Sequence, residues 1–401
     1  MKMKRVYTLI SLIFVIILSG CAKDNRIETA KIEDARKKIV IWSYYETEAQ
    51  QDGLDWLVDG FNESQNEYEA SWEYVPMTDF TKKLTMAYTE ESLPDIALLD
   101  NPNMMSCIQM GMCEDITEFL DGLDVDQLYY PVTLETVTYA GKKYGLPAIC
   151  NNLALIYNKK ILDSENITPP QTWEELETAA KELTNDTTKG FLISAMEGEQ
   201  GAFQLLPWIL STGEKTDNIG GDGTEKAFTY LDGLMKNGYM TSNCVNLSQT
   251  DVARAFINGE TAMMANGPWV LTMLDESGID YGIAEMPVDQ RRCAIIGGED
   301  FTIMKGKNVE GAEQFFKYYD QNEIMQEFCK RTTGIPAKMN VGGEELENMT
   351  IFRAQMEDAV VRSSIPQWRM LSDAIPEAFY EMVSGKESPR MAAQSLKVDN
   401  N

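Results

Sequence analysis

Histidine is absent from the 401-residue chain. Its absence excludes Ser-His-Asp and Cys-His catalysis, His-Glu-x-x-His metal sites and proton relays through imidazole. No Cys-x-x-Cys zinc spacing occurs among the seven cysteines either. Any enzymatic chemistry would depend on carboxylates, lysine or tyrosine, and we predict no catalytic residue, no metal site and no cofactor.

Positive charge is scarce. The chain has 35 Lys and Arg against 63 Asp and Glu, which gives a formal net charge of −28. Such a surface repels the phosphates of nucleic acids and anionic lipid headgroups. We therefore predict no nucleic-acid partner, and a neutral or cationic ligand is easier to accommodate than a polyanion.

The amino-terminal apolar run is short. Three basic residues precede the apolar stretch 6–18, and about 20 apolar residues are needed to span a bilayer. The stretch is therefore typical of a secretion signal, which we place at residues 1–20. Its removal would take away three positive charges and bring the net charge from −28 to −31.

The predicted signal ends in Leu18-Ser19-Gly20-Cys21, which is similar to a bacterial lipoprotein box. In such a box the peptide is cut before the cysteine, whose thiol carries a diacylglyceryl group. We predict lipidation of Cys21, a polar tether at 21–37 and a location on the extracytoplasmic face of the bacterial cell membrane. The alternative is an ordinary cleaved signal with a chance cysteine.

The remaining cysteines favour buried free thiols over disulfides. The folded part, about 360 residues, can form a core large enough to need no covalent staple. The six are Cys107, Cys113, Cys150, Cys244, Cys293 and Cys329.

Apolar strands alternate with amphipathic helices, which predicts an α/β fold with parallel strands. Strands are expected at 38–42, 70–75 and 94–99, and ligands bind at the carboxyl ends of such strands. The helix after the second strand is expected to have Thr78 or Asp79 as its N-cap, and the helix after the third strand to start at Met104. Further along the chain, an extended run is expected at 148–157 and a helix near 345–360.

The polar loops after the first three strands contain candidate ligand contacts, although each also has a structural interpretation as a solvated loop or helix cap. These candidates are Tyr44, Tyr45, Glu46, Asp79, Asp100 and Asn101.

Residues 252–271 combine a helix end, a strand and a second helix start. Gly259 can take the left-handed conformation that ends a helix, a strand is predicted at 261–265, and Pro268 favours a new first turn. Trp269 therefore lies at a strand-to-helix corner, where free N–H groups and a flat ring face the same space. It either holds a polar, ring-shaped ligand or anchors its helix to the core.

This segment, Asn-Gly-Glu-Thr-Ala-Met…Asn-Gly-Pro-Trp, resembles the signature of the maltose-binding-protein group of extracellular solute-binding proteins. Residues 155–159 (Leu-Ile-Tyr-Asn-Lys), the pair Gly297-Gly298 and residues 334–336 (Gly-Ile-Pro) are similar to the family's crossings between lobes. The resemblance, from residue 39 to 396, implies a hinged two-lobe type II binding-protein fold with mixed sheets flanked by helices. The lobes would be 38–148 plus 297–338 and 149–296 plus 339–401.

The resemblance also implies a function. Family members capture a carbohydrate, which we expect to be an oligosaccharide, in the cleft and deliver it to the transmembrane subunits of an ABC importer. We expect a monomeric carrier that is not an enzyme. Two alternatives stay open: a surface glycan-binding adhesin, and a glycoside-processing enzyme that uses a carboxylate pair.

A sugar has apolar faces and a rim of hydroxyls, so aromatic rings and carboxylate or amide groups match it. The family places contacts at Trp269, at Phe203 after the loop 196–201, and at Gln367-Trp368-Arg369, whereas Trp173 is expected to pack in the core. Core packing is an equal alternative for Trp368, and backbone contact an equal alternative for Asn151. The predicted rings are Tyr44, Tyr45, Phe203, Trp269 and Trp368, and the polar rim comprises Glu46, Asp79, Asp100, Asn101, Asn151, Glu299, Asp300 and Arg369.

Overall fold

A computed structural model of the protein describes residues 36–342, 349–365 and 367–397, except the side chain of Thr78. The predicted signal peptide, Cys21 and nearly all of the predicted tether lie outside the described residues. Within the described ranges, no helix is both long enough and apolar enough to cross a membrane.

The strands in the described ranges are β1 Lys37–Ser43, β2 Tyr68–Tyr74, β3 Ile96–Asp100, β4 Thr138–Tyr139, β5 Lys142–Lys143, β6 Gly145–Asn151, β7 Ala154–Asn158, β8 Lys189–Leu192, β9 Thr261–Asn266, β10 Tyr281–Ala284, β11 Ala294–Ile303, β12 Ile335–Pro336 and β13 Ala359–Val361.

The α-helices are α1 Glu48–Ser64, α2 Met77–Thr89, α3 Asn101–Gln109, α4 Thr117–Asp121, α5 Val125–Leu128, α6 Pro131–Val137, α7 Lys159–Ser164, α8 Trp173–Leu183, α9 Glu199–Ser211, α10 Asp222–Lys236, α11 Gln249–Ile257, α12 Leu271–Ser277, α13 Val309–Tyr319, α14 Asn322–Thr332, α15 Thr350–Ala354, α16 Trp368–Val383 and α17 Pro389–Ser395. Short 3-10 helices cover Ser242–Asn246, Pro268–Val270, Gln355–Asp358 and Arg362–Ser364.

Two sheets define two α/β lobes. The larger sheet has the strand order β12-β6-β11-β3-β1-β2, with β13 also paired to β11, and the smaller has the order β10-β7-β9-β8. Strand β1 runs parallel to β2 and β3, whereas β11 runs antiparallel to β3 and β6. The chain passes from the larger sheet to the smaller between β6 and β7, so the fold is the predicted mixed two-lobe fold.

Each lobe has its own apolar core. In the larger sheet Ile41 and Phe301 are fully buried under α1, α13 and α14, and in the smaller lobe Phe191 and Trp208 are fully buried. Full burial of such a side chain contributes about 1.5–3 kcal/mol. Trp173 stacks on Tyr230 with ring centres 4.4 Å apart, which confirms its predicted packing role.

The helix and strand starts follow local chemistry. Thr47 and Ser248 each form a capping box with the third helical residue, and Thr172 accepts the Glu175 N–H at the start of α8. Gly259 has φ +74°, as the predicted end of α11 requires. The corner of β9, the 3-10 helix Pro268–Val270 and α12 confirms the predicted strand-to-helix turn.

Four local predictions are wrong. Helix α3 begins at Asn101 rather than Met104, and the N-cap of α2 is Pro76 rather than Thr78 or Asp79. The segment 148–157, predicted as one extended run, is interrupted after β6, where Asn152 donates to the Phe352 carbonyl at 2.8 Å. The helix predicted at 345–360 is, where described, the short α15, a 3-10 turn and β13.

All six described cysteines are buried and unpaired, which confirms the prediction of free thiols. Cys150 on β6 donates its S–H to the Ile335 carbonyl of β12 at 3.3 Å. Burial raises the pKa of the Cys293 thiol to about 11 and that of Cys329 to about 12, so these thiols stay protonated at neutral pH.

Candidate ligand-binding site

The first part of the site joins the loop after β1 to the middle of β11. The Tyr44 hydroxyl donates to one Glu299 carboxyl oxygen at 2.7 Å, and the Tyr45 hydroxyl donates to the other at 3.4 Å. Tyr45 and Glu299 are buried, and Tyr44 is partly exposed. Burial raises the pKa of Glu299 to about 8, against the lowering effect of the Tyr44 hydrogen bond. Glu299 is therefore largely protonated at neutral pH.

Asp300 follows Glu299 on the same strand and points to the opposite face, as alternate strand residues do. Its carboxyl accepts from the Asn101 amide at 3.0 Å and from the Thr136 hydroxyl at 3.1 Å. Asp300 is fully buried, and burial raises its pKa well above the usual range. Asp300 and Asn101 thus fasten the end of β3 to β11 beneath the site.

The second part of the site is centred on Arg362, which begins the 3-10 helix after β13. One terminal guanidinium nitrogen, Nη1, lies 2.5 Å from Glu199 Oε1, and the other, Nη2, lies 3.1 Å from Asp100 Oδ1. The Trp368 indole N–H donates to the other Glu199 oxygen at 3.2 Å. Burial alone would lower the pKa of Arg362, but Asp100 and Glu199 raise it overall, so the guanidinium stays charged.

Asp100 belongs to the larger sheet, whereas Glu199 opens α9, which packs in the core of the smaller lobe. Arg362 therefore links the two lobes by charge. Removing one partner of a buried ion pair leaves the other charge without compensation in a poorly solvated place. The ion pairs of Arg362 therefore contribute to the stability of the fold as well as to the charge of the site between the lobes.

Aromatic rings continue from Arg362 toward the strand-to-helix corner. The guanidinium carbon lies 4.6 Å from the centre of the Phe203 ring, whose centre is 6.1 Å from that of Trp269. The Trp269 ring folds back over Gly267, where a Cβ would lie 2.0 Å from the ring carbons. Glycine at this position lets the partly exposed indole occupy the corner.

Asn151 lies where β6 passes β11. A Cβ on Gly297 would lie 2.2 Å from Asn151 Oδ1 and 3.1 Å from the Cζ atom of Phe203. The glycine pair thus allows the crossing strand to pass close to both side chains. Asn151 is consequently brought beside the aromatic cluster.

Three predicted residues lie at exposed starts of helices or in loops. Glu46 and Asp79 are exposed before and at the start of α1 and α2, and Arg369 is exposed in the first turn of α16. None of the three side chains has a described hydrogen bond or ion pair with the cluster. The structure thus brings together the other predicted residues but not these three.

Two residues of the cluster, Glu199 and Arg362, were missed by the sequence analysis. Glu199 is one of two acids in the segment 196–201 that was assigned to a loop, and it lies in the first turn of α9. Arg362 follows two valines in a stretch without a predicted element. An arginine directly after an apolar run was the available signal, since such a position favours burial and therefore a paired charge.

Two α/β lobes with aromatic and carboxylate groups at their junction define a two-lobe ligand-binding protein. Residues 56–349 match the family model described as bacterial extracellular solute-binding protein, and the chain belongs to that family.

Two curated relatives align with most of this chain. The galactooligosaccharide-binding protein of Bacillus subtilis is 21% identical over 397 residues, covering 94% of this chain and 91% of the relative. The maltooligosaccharide ABC transporter solute-binding lipoprotein of Streptococcus pneumoniae is 24% identical over 343 residues, or 78% and 76% of the two chains.

Solved structures show the same fold. Maltose-bound MalE3 of T. maritima superposes with a TM-score of 0.81 at 19% identity, covering 89% of this chain and 97% of that one. The GacH receptor of Streptomyces glaucescens gives 0.78 at 22% identity, covering 89% and 96%.

Glu299 makes the stability of the protein depend on pH. The pKa of Glu299 is about 8 in the folded protein and near 4.5 in the unfolded chain. Between pH 4.5 and 8 the folded protein therefore keeps a proton that the unfolded chain has lost. The stabilisation is complete below pH 4.5 and is lost as the pH rises through 8. Relative to wild type, Glu299→Gln should gain on the order of 3 kcal/mol in free energy of unfolding between pH 5 and 8.

Urea unfolding at several pH values measures this difference, and the exposed Glu46→Gln provides the control. The expectation fails if Glu299→Gln and Glu46→Gln have the same pH profile relative to wild type.

Proposed function

We propose that the protein is the substrate-binding lipoprotein of an ABC importer, which captures a carbohydrate, most readily an oligosaccharide, between its lobes. The observation that carries the proposal is the junction itself: aromatic rings from both lobes surround carboxyl and guanidinium groups next to the crossing strands. The names of the relatives from B. subtilis and S. pneumoniae, which refer to oligosaccharides, also support it.

The chemistry of the junction suits a sugar. Trp269, Phe203 and Tyr44 offer flat apolar surfaces to C–H faces, while Asp100 and Glu299 offer oxygens to hydroxyl groups. A ligand that touches residues of both sheets is bound best when the lobes are closed. Its binding energy therefore shifts the open–closed equilibrium, which signals occupancy to the importer.

We propose the following ligand contacts: Tyr44, Tyr45, Glu46, Asp79, Asp100, Asn101, Asn151, Phe203, Trp269, Glu299, Asp300, Trp368 and Arg369. Glu46, Asp79 and Arg369 would act at the exposed rim. Asn101 and Asp300 would act by holding the junction of β3 and α3 in place, since they bond to each other.

The proposal includes the remaining predictions. Cys21 would carry the lipid that retains a monomeric protein at the extracytoplasmic face of the membrane, beside the permease subunits. The lobes would comprise 38–148 plus 297–338 and 149–296 plus 339–401.

Trp269→Ala tests the stacking role. We expect the affinity for the oligosaccharide that binds wild type to fall more than tenfold, about 1.4 kcal/mol, because the largest partly exposed ring of the cluster is removed. Calorimetry with malto- and galactooligosaccharides measures the change. Tyr139→Ala, an exposed tyrosine on the β4–β5 hairpin, is the control. An unchanged affinity of Trp269→Ala would refute the stacking role.

We also propose that the ligand leaves the cleft unaltered. Incubation of purified protein with the same oligosaccharides distinguishes a carrier from a glycoside-processing enzyme. Reversible thermal stabilisation without new products supports the carrier. Accumulation of shorter sugars would instead favour the enzyme.

A further inference from the structure

Two buried N–H donors of the aromatic cluster have no hydrogen-bond partner among the described residues: Nε of Arg362 and Nε1 of Trp269. More than nine-tenths of buried polar groups in folded proteins are paired, because an unpaired donor retains its full desolvation cost. Two such donors in one cluster therefore require an explanation.

The two donors share one aromatic neighbour. Phe203 contacts the Arg362 guanidinium, 4.6 Å from its ring centre to the guanidinium carbon, and its centre lies 6.1 Å from that of Trp269. Each terminal nitrogen of Arg362 already donates one hydrogen bond, to Glu199 or to Asp100, so Nε is the guanidinium nitrogen without a partner among the described residues. The guanidinium cannot turn away to find solvent, because both of its ends are held.

The charges around this place are predominantly acidic. Arg362 is paired with two carboxylates, Asp100 and Glu199, so its single positive charge is already compensated. An anionic ligand would meet repulsion here, whereas an uncharged hydroxyl or ether oxygen can accept an N–H without adding charge.

We propose that Arg362 Nε and Trp269 Nε1 form a two-donor subsite beside Phe203 that selects uncharged sugars and rejects acidic ones such as uronates. Oxygens of the ligand accept both N–H groups, and Arg362 is the specificity-determining residue. This inference rests on the proposed carbohydrate function and deepens it by assigning the donors and the charge class of the ligand.

The test uses conservative variants of the full chain. Arg362→Lys keeps a cation for Asp100 and Glu199 but removes Nε, and Trp269→Phe keeps an aromatic ring but removes Nε1. The matched control is Trp173→Phe, which removes an equally unpartnered indole N–H from the core of the smaller lobe, where Trp173 stacks on Tyr230. Melting temperatures measured without ligand establish that each variant is folded. If Arg362→Lys does not fold, Trp269→Phe alone still tests the proposal.

The probes are maltotriose, galactotriose and trigalacturonate, with affinities measured by calorimetry. We expect wild type to bind at least one neutral trisaccharide and to bind trigalacturonate at least 100-fold more weakly. The affinity of each donor variant for the neutral sugar should be about 5- to 20-fold lower than that of wild type, and the Trp173→Phe control should retain wild-type affinity.

Two results would overturn the subsite while leaving the carbohydrate function intact. One is wild-type affinity for the neutral sugar in every folded donor variant, and the other is binding of trigalacturonate within tenfold of the neutral sugars. If none of the three sugars binds wild type, the carbohydrate function fails for these ligands and the subsite fails with it.

Discussion

Arg362→Leu is expected to lower the free energy of unfolding by about 3 kcal/mol at pH 8. The substitution leaves Asp100, 6% exposed, without a cation in a poorly solvated place. It also removes the ion pair of Glu199, whose side chain keeps 21% of its exposure, so we expect the lower end of the range for broken buried pairs.

The loss should depend on pH. Without Arg362, the pKa values of Asp100 and Glu199 rise, because burial disfavours the charged form and the compensating cation is gone. A raised pKa in the folded state contributes stability that is present at low pH and lost as the pH increases. The deficit of the variant should therefore be small near pH 4 and complete by pH 8.

Urea unfolding at pH 4, 6 and 8 measures this effect. Adding Asp100→Asn and Glu199→Gln to Arg362→Leu should restore most of the loss, since no unpaired charge then remains. Arg390→Leu, an exposed arginine on α17, is the control and should change stability by less than about 0.5 kcal/mol. An equal deficit at all three pH values would show that lost packing, and not an unpaired charge, explains the result.

Gly298→Ala is expected to destabilise the protein by about 3–5 kcal/mol, because backbone strain and a steric clash add up. Gly298 has φ +117°, a conformation that residues with a side chain rarely adopt. A Cβ there would lie 2.1 Å from the Ile149 carbonyl oxygen and 2.6 Å from the Cys150 Cα, both backbone atoms of β6. Relief requires β6 and β11 to separate, which weakens the sheet that carries Glu299 and Asp300.

Gly141→Ala separates the effect of backbone strain from that of the steric clash with β6. Gly141 has φ +76° but has no atom within 4 Å of an added Cβ, so this variant carries the backbone strain alone, about 1 kcal/mol. Chemical denaturation of both variants gives the comparison. A Gly298→Ala loss no greater than that of Gly141→Ala would show that the strands accommodate the methyl group.

The sequence predicted those parts of the fold that local chemistry determines. Alternation of apolar strands and amphipathic helices located β1, β9 and α11, and Gly259 marked a helix end that only a left-handed residue could provide. The boundary of α3 was misplaced because Asp100 and Asn101 are typical loop residues. In the folded chain their side chains bond Arg362 and Asp300, so the backbone is free to start the helix three residues earlier.

The site was predicted less completely than the fold, for a physical reason. Arg362 is separated from Glu199 by 163 residues and from Asp100 by 262, and neither distance leaves a periodic pattern in the chain. Trp269 and the Gly297-Gly298 pair could be selected because their local motifs resemble a family. Arg362 has no such motif, and its role depends on partners that only the tertiary structure provides.

The six buried thiols have a practical consequence. Alkylating reagents modify only sulfur that is reached by solvent as thiolate, and here each sulfur is enclosed. The rate at which each cysteine is alkylated therefore reports how often its surroundings open locally. Alkylation of Cys150 reports the separation of β6 from β12. Mass spectrometry of the modified peptides can time these openings one by one, without any engineered label.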